Sequence, residues 1–291
     1  MTTRQLVQAA LAEDVGTGDV TSRLTIPAGR YARARLVARK GGILAGIGVC
    51  RQVFLTLDPS IRFAPKLKDG ARFRKNQVLA EVHGPARPIL TAERTALNFI
   101  QRLSGIATAT RRFVDAIRGT KAMILDTRKT TPGWRALEKY AVRCGGGANH
   151  RAGLYDMILV KDNHIAAAGS ITAALERCGP SRLPIEVETQ SLADVKEALA
   201  AGAKRILLDN MTVAQMKKAV DLARGRTKLE ASGGINLRNV RRVAETGVDY
   251  ISVGAITHSA PAADIALDFA QDSRTPGIKG PRTRKSGSGR H

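Results

Sequence analysis

The stretch IEVETQSLADVKEALAAGAKRILLD, residues 185–209, changes periodicity twice. Residues 185–188 are a short apolar, β-branched run that ends on an acid. Residues 191–201 then set apolar side chains at i, i+3, i+4 spacing, the pattern of a helix with one buried face. Residues 206–209 are apolar again and again end on an acid. That is strand, helix, strand. The beat continues outward in both directions: further runs occupy 122–126, 157–160, 229–231 and 250–253, and further helical segments occupy 213–224 and 237–246. The last four runs end at residues 188, 209, 231 and 253, successive steps of 21, 22 and 22. One strand plus one helix per step predicts an α/β fold with a parallel sheet closing toward a barrel. Six runs are visible where a complete barrel has eight strands.

The first 120 residues do not follow this beat. Helices are expected over 5–12, 47–57 and 90–117, with Gly105 as a possible interruption of the last, and strands over 32–39 and 78–82. The expected organisation is therefore an N-terminal α+β domain over 1–118 and a barrel over 119–271, with a helix near 260–271 returning to the first domain. Residues 272–291 are rich in Gly, Pro and Ser and are expected to be a disordered basic tail.

Composition narrows the class. With 43% hydrophobic and 25% charged residues, the 291-residue chain has the balance of a soluble globular protein. No apolar run approaches the roughly eighteen residues that a membrane span requires. Residues 1–14 carry Glu13 and Asp14 and lack the apolar core of a signal peptide. Cys50, Cys144 and Cys178 are odd in number and far apart, which suggests neither a disulfide framework nor a zinc site and points to a cytoplasmic location. The formal net charge is +22. Residues 272–291 hold six Lys and Arg against one Asp, 6 − 1 = +5, which leaves 22 − 5 = +17 on the rest. Such a surplus favours anionic partners, nucleic acid or small polyanions. Against nucleic acid, aromatics are only 4% of the chain, the basic residues are scattered, and no nucleic-acid-binding motif is present.

In parallel α/β barrels the chemistry gathers at the C-terminal ends of the strands. Here those ends read Asp126-Thr127-Arg128-Lys129, Lys161, Glu188, Asp209, Ser232-Gly233-Gly234 and Val253-Gly254-Ala255. Any one charge could simply be solvated. All of them together are harder to explain that way. Ser232-Gly233-Gly234 precedes a helical stretch and Gly254-Ala255 precedes the segment to His258. Small residues there let backbone N–H groups approach a phosphate, although tight turns alone would also call for glycine. Glu188 and Asp209 end neighbouring strands, where they could hold Mg2+ through ligand oxygens, contact ribose hydroxyls or stabilise a sugar cation. Arg128, Lys129, His150, Arg151 and Lys161 would repel one another around one pocket unless a multiply charged anion sat among them. Gly145-Gly146-Gly147, just before, would be a flexible loop or a close backbone approach to a ligand.

The motifs DTRKTTPG at 126–133, EKYAVRCGGG at 138–147, NHR at 149–151 and KDNH at 161–164 together resemble the quinolinate phosphoribosyltransferases. So do EDVGTGDVT at 13–21, ERTALN at 93–98, LSGI at 103–106, LDNM at 208–211 and SGGI at 232–235. The resemblance runs from about residue 5 to 270 with the motifs in order. It departs at Ala148, where His or Lys is common, and in the basic tail, which has no counterpart. The resemblance implies an incomplete six-stranded α/β barrel behind an N-terminal α+β sandwich-like domain. It also implies an enzyme that joins pyridine-2,3-dicarboxylate (quinolinate) to phosphoribosyl pyrophosphate (PRPP). Loss of CO2 then gives nicotinate mononucleotide for de novo NAD biosynthesis. By position, Arg94 would be lent across a homodimer interface to reach quinolinate with Thr127, Arg128, His150, Arg151 and Lys161. Lys129, Glu188, Asp209, Ser232, Gly233, Gly234, Val253, Gly254, Ala255 and His258 would surround PRPP and its Mg2+, with Lys129, Lys161, Glu188 and Asp209 carrying catalysis. The nearest rivals of the same shape are nicotinate-using and molybdenum-associated phosphoribosyltransferases; the number of cations favours a dicarboxylate.

Overall fold

The computed structural model describes residues 1–179 and 181–270; the basic segment 272–291, expected as a disordered tail, lies outside them. The first part of the chain contributes helices α1 (Thr3–Val15), α2 (Val20–Thr25), α3 (Ile47–Leu57) and α4 (Ala86–Ala116). Its strands are β1 (Tyr31–Ala38), β2 (Gly42–Ile43), β3 (Arg62–Pro65), β4 (Arg72–Phe73) and β5 (Val78–Pro85). β1, β5 and β3 pair antiparallel, and β2 with β4 forms a separate short ribbon. Phe54, Leu36, Leu79, Ile89, Ile100 and Leu103 are among the fully buried side chains between these strands and α3 and α4.

The strand–helix beat then becomes β6 (Met123–Leu125), α5 (Arg135–Cys144), β7 (Ile158–Val160), α6 (Asp162–Ala168), α7 (Ile171–Cys178) and β8 (Ile185–Thr189). It continues as α8 (Leu192–Ala200), β9 (Arg205–Asp209), α9 (Val213–Ala223), β10 (Lys228–Ser232), α10 (Val240–Ala244), β11 (Tyr250–Ser252) and α11 (Ala255–His258). The six strands form one parallel sheet in the order β6-β11-β10-β9-β8-β7. Ser191 and Thr212 start α8 and α9 with reciprocal side-chain caps to Asp194 and Gln215. β6 and β7 are the two edges and do not pair. The segment after α5 covers the open edge of β6 instead, through an isolated parallel bridge between Leu125 and Ala148.

Two expectations are corrected. The segment after 260 returns to the N-terminal sheet as a strand and not as a helix: β12 (Ile265–Phe269) pairs antiparallel with β1. Its burial alternates, Ile265 and Leu267 inward, and it satisfies the free edge of β1, with Asp268 bonded to Arg39. Gly105 does not interrupt α4, which is continuous over 31 residues. A Cβ there would lie 2.1 Å from the carbonyl oxygen of Pro261. The glycine is a seat for the chain returning to β12.

Close approach also accounts for Gly145 and Gly147, while Gly146 between them takes a φ of +90°. A Cβ on Gly145 would fall 2.5 Å from the Ala107 carbonyl oxygen, and one on Gly147 would fall 2.8 Å from Thr110 Cγ2. The run lets the turn after α5 lie directly on α4.

Gly105→Ala should lower the melting temperature. Alanine is the better helix former by about 1 kcal/mol, but displacing the Pro261 backbone costs about 1–3 kcal/mol. Thermal unfolding of the variant would show it; a raised melting temperature would mean that the contact yields without cost.

Candidate active site

Because the sheet is parallel, the C-terminal ends of its strands open on one side of the barrel, and the charged and glycine-rich strand ends meet there. The loop after β6 and segment 148–151 are bound together by Asp126. Its wholly buried carboxylate accepts from Lys139 Nζ at 2.5 Å, Asn149 Nδ2 at 2.6 Å and the His150 N–H at 2.9 Å. Burial raises the Asp126 pKa, against the opposing pull of Lys139 and the two other donors. Asp126 is therefore internal framework and Arg128 is the first strand-end residue free to face a ligand. Arg135 reinforces the join, donating to Thr130 Oγ1, the Ala152 carbonyl oxygen and, at 3.4 Å, the Arg128 carbonyl oxygen. Trp134 stacks on Phe99 of α4 at 4.5 Å between ring centroids.

Arg151 is buried, donates to the Met157 carbonyl oxygen at 3.4 Å, and has its pKa lowered first by burial and then by the charge of Arg128. Among the described residues neither Arg128 nor Arg151 has a carboxylate within ion-pair distance. Lys161 Nζ lies 2.7 Å from Glu188 Oε2, so the basic pocket and the acid pair adjoin. Thr127 spends its hydroxyl oxygen on the Lys129 N–H at 3.0 Å.

On the far side, Lys129 and the ring of His258 both lie against Gly254, and Thr257 Oγ1 donates to the Lys129 carbonyl oxygen at 2.8 Å. Asp209 accepts from Asn210 Nδ2 at 2.8 Å, and Asn210 Oδ1 fills the space a side chain at Gly233 would need. The N–H groups of Gly233, Gly234, Gly254 and Ala255 donate to no partner among the described residues. They are four unspent donors on neighbouring strand ends. No helix begins at Gly234, since α10 starts at Val240; the donors come from the turn itself. Of the expected ligand residues, Val253 and His150 turn inward. Val253 is a core residue whose N–H is bonded to the Leu125 carbonyl oxygen. Arg94 is exposed on α4 and makes no ion pair among the described residues. His150 is buried, with both ring nitrogens turned to protein groups.

Beneath the mouth lies a group that the strand-end pattern missed. Glu186 and Glu230 are wholly buried beside His150, and Arg205 bonds to both carboxylates. Burial raises both carboxyl pKa values and lowers that of His150. His150, Glu186 and Glu230 bring their ligand atoms within 4.8 Å of one another, as a metal site would. The guanidinium of Arg205 already supplies the cation there. The sequence carried a signal for this cluster: Glu186 and Glu188 are two apart on one strand and so share a face.

Unspent phosphate donors, an acid pair and unneutralised guanidiniums at one mouth define an enzyme of the barrel phosphoribosyltransferase class. Residues 19–104 and 106–268 match the models of the quinolinate phosphoribosyl transferase N-terminal and C-terminal domains. The chain is 48% identical over 277 residues to a nicotinate-nucleotide pyrophosphorylase [carboxylating] of Mycobacterium leprae, covering 91% of this chain and 96% of that one. It is 46% identical over 271 residues to a probable enzyme of the same name from Bacillus subtilis, covering 91% and 92%. The nicotinate-nucleotide pyrophosphorylase structure from Francisella tularensis superposes with a TM-score of 0.89 at 43% identity, over 92% of this chain and 96% of that one. The chain belongs to the quinolinate phosphoribosyltransferase family.

Asp126→Asn should cost about 3–5 kcal/mol, because it leaves the Lys139 ammonium buried beside a neutral amide. Urea denaturation measures this. A midpoint equal to that of the wild type would show that the Asp126–Lys139 pair does not brace the mouth.

Proposed function

We propose that the chain transfers the phosphoribosyl group of PRPP to quinolinate with decarboxylation, giving nicotinate mononucleotide, pyrophosphate and CO2, a step of de novo NAD biosynthesis. The observation that carries this is the Arg128–Arg151 pair, two neighbouring guanidiniums without an ion-paired carboxylate among the described residues. An acceptor with two adjacent carboxylates supplies the missing charge, each as a forked partner for a guanidinium, with Lys161 as a third cation. A monocarboxylate such as nicotinate would leave part of that charge unmatched.

The donor half suits PRPP. The free N–H groups of Gly233, Gly234, Gly254 and Ala255, with Lys129 and His258, can hold its phosphates. Glu188 and Asp209 lie on adjacent strands and offer hard oxygen ligands, which suit Mg2+ shared with PRPP oxygens, although Glu188 is partly neutralised by Lys161. Mg2+ when bound would neutralise charge on the pyrophosphate. As the bond from the ribosyl carbon to pyrophosphate breaks, its electron pair leaves with pyrophosphate and the carbon becomes cationic. Glu188 and Asp209 stabilise that charge while the pyridine nitrogen, held in line by Arg128 and Arg151, forms the new bond. The positive pyridinium nitrogen then stabilises the electron pair that stays on ring carbon 2 when CO2 departs, and that carbon uses the pair to take up a proton. Lys161 is placed to exchange Glu188 for a quinolinate carboxylate, which frees Glu188 for the sugar.

Exposed Arg94 suits a homodimer in which each site borrows the partner's α4. A reducing cytoplasm suits the three unpaired cysteines, and no described helix is long and apolar enough to cross a membrane.

With PRPP and Mg2+, CO2 should be released from quinolinate, while nicotinate should give no nucleotide; the reverse preference would sink the dicarboxylate assignment. Arg151→Ala and Lys161→Ala should each raise KM for quinolinate by about 10–100-fold, the worth of one charge-assisted hydrogen bond, and leave KM for PRPP close to the wild-type value. Arg94→Ala and Asp209→Ala enzymes, each inactive alone, should recover activity when mixed as mixed dimers. No recovery would place Arg94 outside a shared site.

A further inference from the structure

Both ring nitrogens of His150 are committed. Nδ1 lies 2.7 Å from the Arg151 nitrogen, whose N–H can only donate, so Nδ1 is an acceptor and carries no proton. Nε2 therefore bears the proton and donates to Glu186 Oε2 at 2.9 Å. The other oxygen of Glu186 accepts from Arg205 Nε at 2.9 Å. Arg205 reaches on to Glu230, whose second oxygen accepts from Ser252, and its guanidinium sits 4.3 Å from the centroid of the Tyr250 ring. Both oxygens of Glu186 and both of Glu230 accept a hydrogen bond, and the two carboxylates are wholly buried.

The geometry points to Glu186 as a positioning residue for the acceptor site: it holds His150 in the Nε2–H tautomer, and His150 Nδ1 in turn fixes the backbone from which Arg151 reaches the mouth. Only a carboxylate can do this. Glu186 serves two donors from opposite sides, one on each oxygen. Glu230 is its counterweight, sharing Arg205 but standing 3.6 Å from His150 Nε2, beyond a hydrogen bond. With His150 neutral, one guanidinium faces two carboxylates, so the group is neutral when Glu186 and Glu230 hold one proton between them. Glu230 can carry that proton without disturbing His150. Glu186 cannot without losing one of its two acceptors. This inference rests on the assignment of Arg151 to quinolinate.

Glu186→Gln is the test and Glu230→Gln the control. The amide at 186 keeps one acceptor oxygen for two donors. If that oxygen serves Arg205, the amide N–H turns toward His150 and drives the ring to the Nδ1–H tautomer, which meets the Arg151 N–H head-on. In Glu186→Gln, KM for quinolinate should rise about tenfold, the loss of one hydrogen bond, with KM for PRPP unchanged. Nitrogen NMR of the ligand-free enzyme, with the His150 signal assigned by its loss in His150→Asn, should show the ring proton moved from Nε2 to Nδ1. Glu230→Gln should change neither. If Glu186→Gln does not fold, His150→Asn, which can still offer an acceptor to the Arg151 N–H, should keep KM closer to wild type than His150→Ala does. A wild-type KM or an unmoved tautomer in Glu186→Gln, equal effects at 186 and 230, or equal loss in the two His150 variants would overturn the inference. The NMR measurement needs no substrate, so a wild-type enzyme inert toward quinolinate would count against the acceptor assignment and not against the brace.

Discussion

The open edge of β6 is the constraint from which the site follows. A six-stranded parallel sheet that stops short of closure leaves edge N–H and C=O groups beside the place where ligands bind. The chain covers that edge at Ala148, which exchanges backbone hydrogen bonds with Ile124 and Asp126, and one buried carboxylate ties down the residues that follow. Asp126 takes the Lys139 ammonium, the Asn149 amide and the His150 N–H onto two oxygens. Its three donors come from α5 and from the covering segment, so this single acid sets β6, α5 and residues 149–151 in register with one another. A neutral residue could not compensate the ammonium, and a shorter backbone contact could not reach it. The basic triplet that follows is consequently presented at a fixed height above the barrel interior.

The protein sorts its charges by depth. Below the mouth, every buried charge has a partner: Asp126 with Lys139, Arg205 with Glu186 and Glu230, and Arg102 with Glu138. At the mouth, Arg128 and Arg151 have none among the described residues, and Lys161 is tied to an acid that belongs to the neighbouring half-site. Desolvating a charge without pairing it is costly, so a fold under no demand but stability would pair the upper layer as it pairs the lower one. Leaving the guanidiniums without a contacting acid, with Glu186 and Asp156 acting on Arg151 only from a distance, keeps attraction for an incoming dianion. The lower layer helps to keep Arg151 from collapsing onto Glu186, because each oxygen of that carboxylate already accepts a hydrogen bond, one from His150 and one from Arg205.

The legible part of the sequence was whatever repeats. Short apolar, β-branched runs, followed by period 3.6, located all six barrel strands to within a few residues, and the 47–57 helix falls on α3 at both ends. The strand-end rule also brought together Lys129, Lys161, Glu188, Asp209 and the glycine turns. The misses share one cause: contacts between residues far apart in sequence. Residues 265–269 became a strand because β1 had an edge to fill. Gly105 is a glycine because Pro261 arrives there, and Gly145 and Gly147 answer to Ala107 and Thr110. Neither relation is local. His150 looked like a ligand for the same reason: its motif neighbours Arg151, but its ring turns inward to Glu186.

The two missed groups are coupled. The glycine run lets the turn after α5 rest on α4 without side chains between them, so residues 148–151 emerge from a rigid seat. Asp126 then fixes Asn149 and the His150 N–H, and Glu186 fixes the His150 ring. The approach to Arg151 is thus held by helix packing at Gly145 and Gly147, by Asp126 at Asn149 and the His150 N–H, and by Glu186 at the His150 ring. A side chain that must meet a small rigid dianion gains from such redundancy. Each degree of freedom removed from the backbone before binding is one that binding does not have to freeze. The same logic explains why the acidic interior is tolerated: an apolar barrel core would pack at lower cost, but it would offer His150 no acceptor and leave the last of the three restraints unmade.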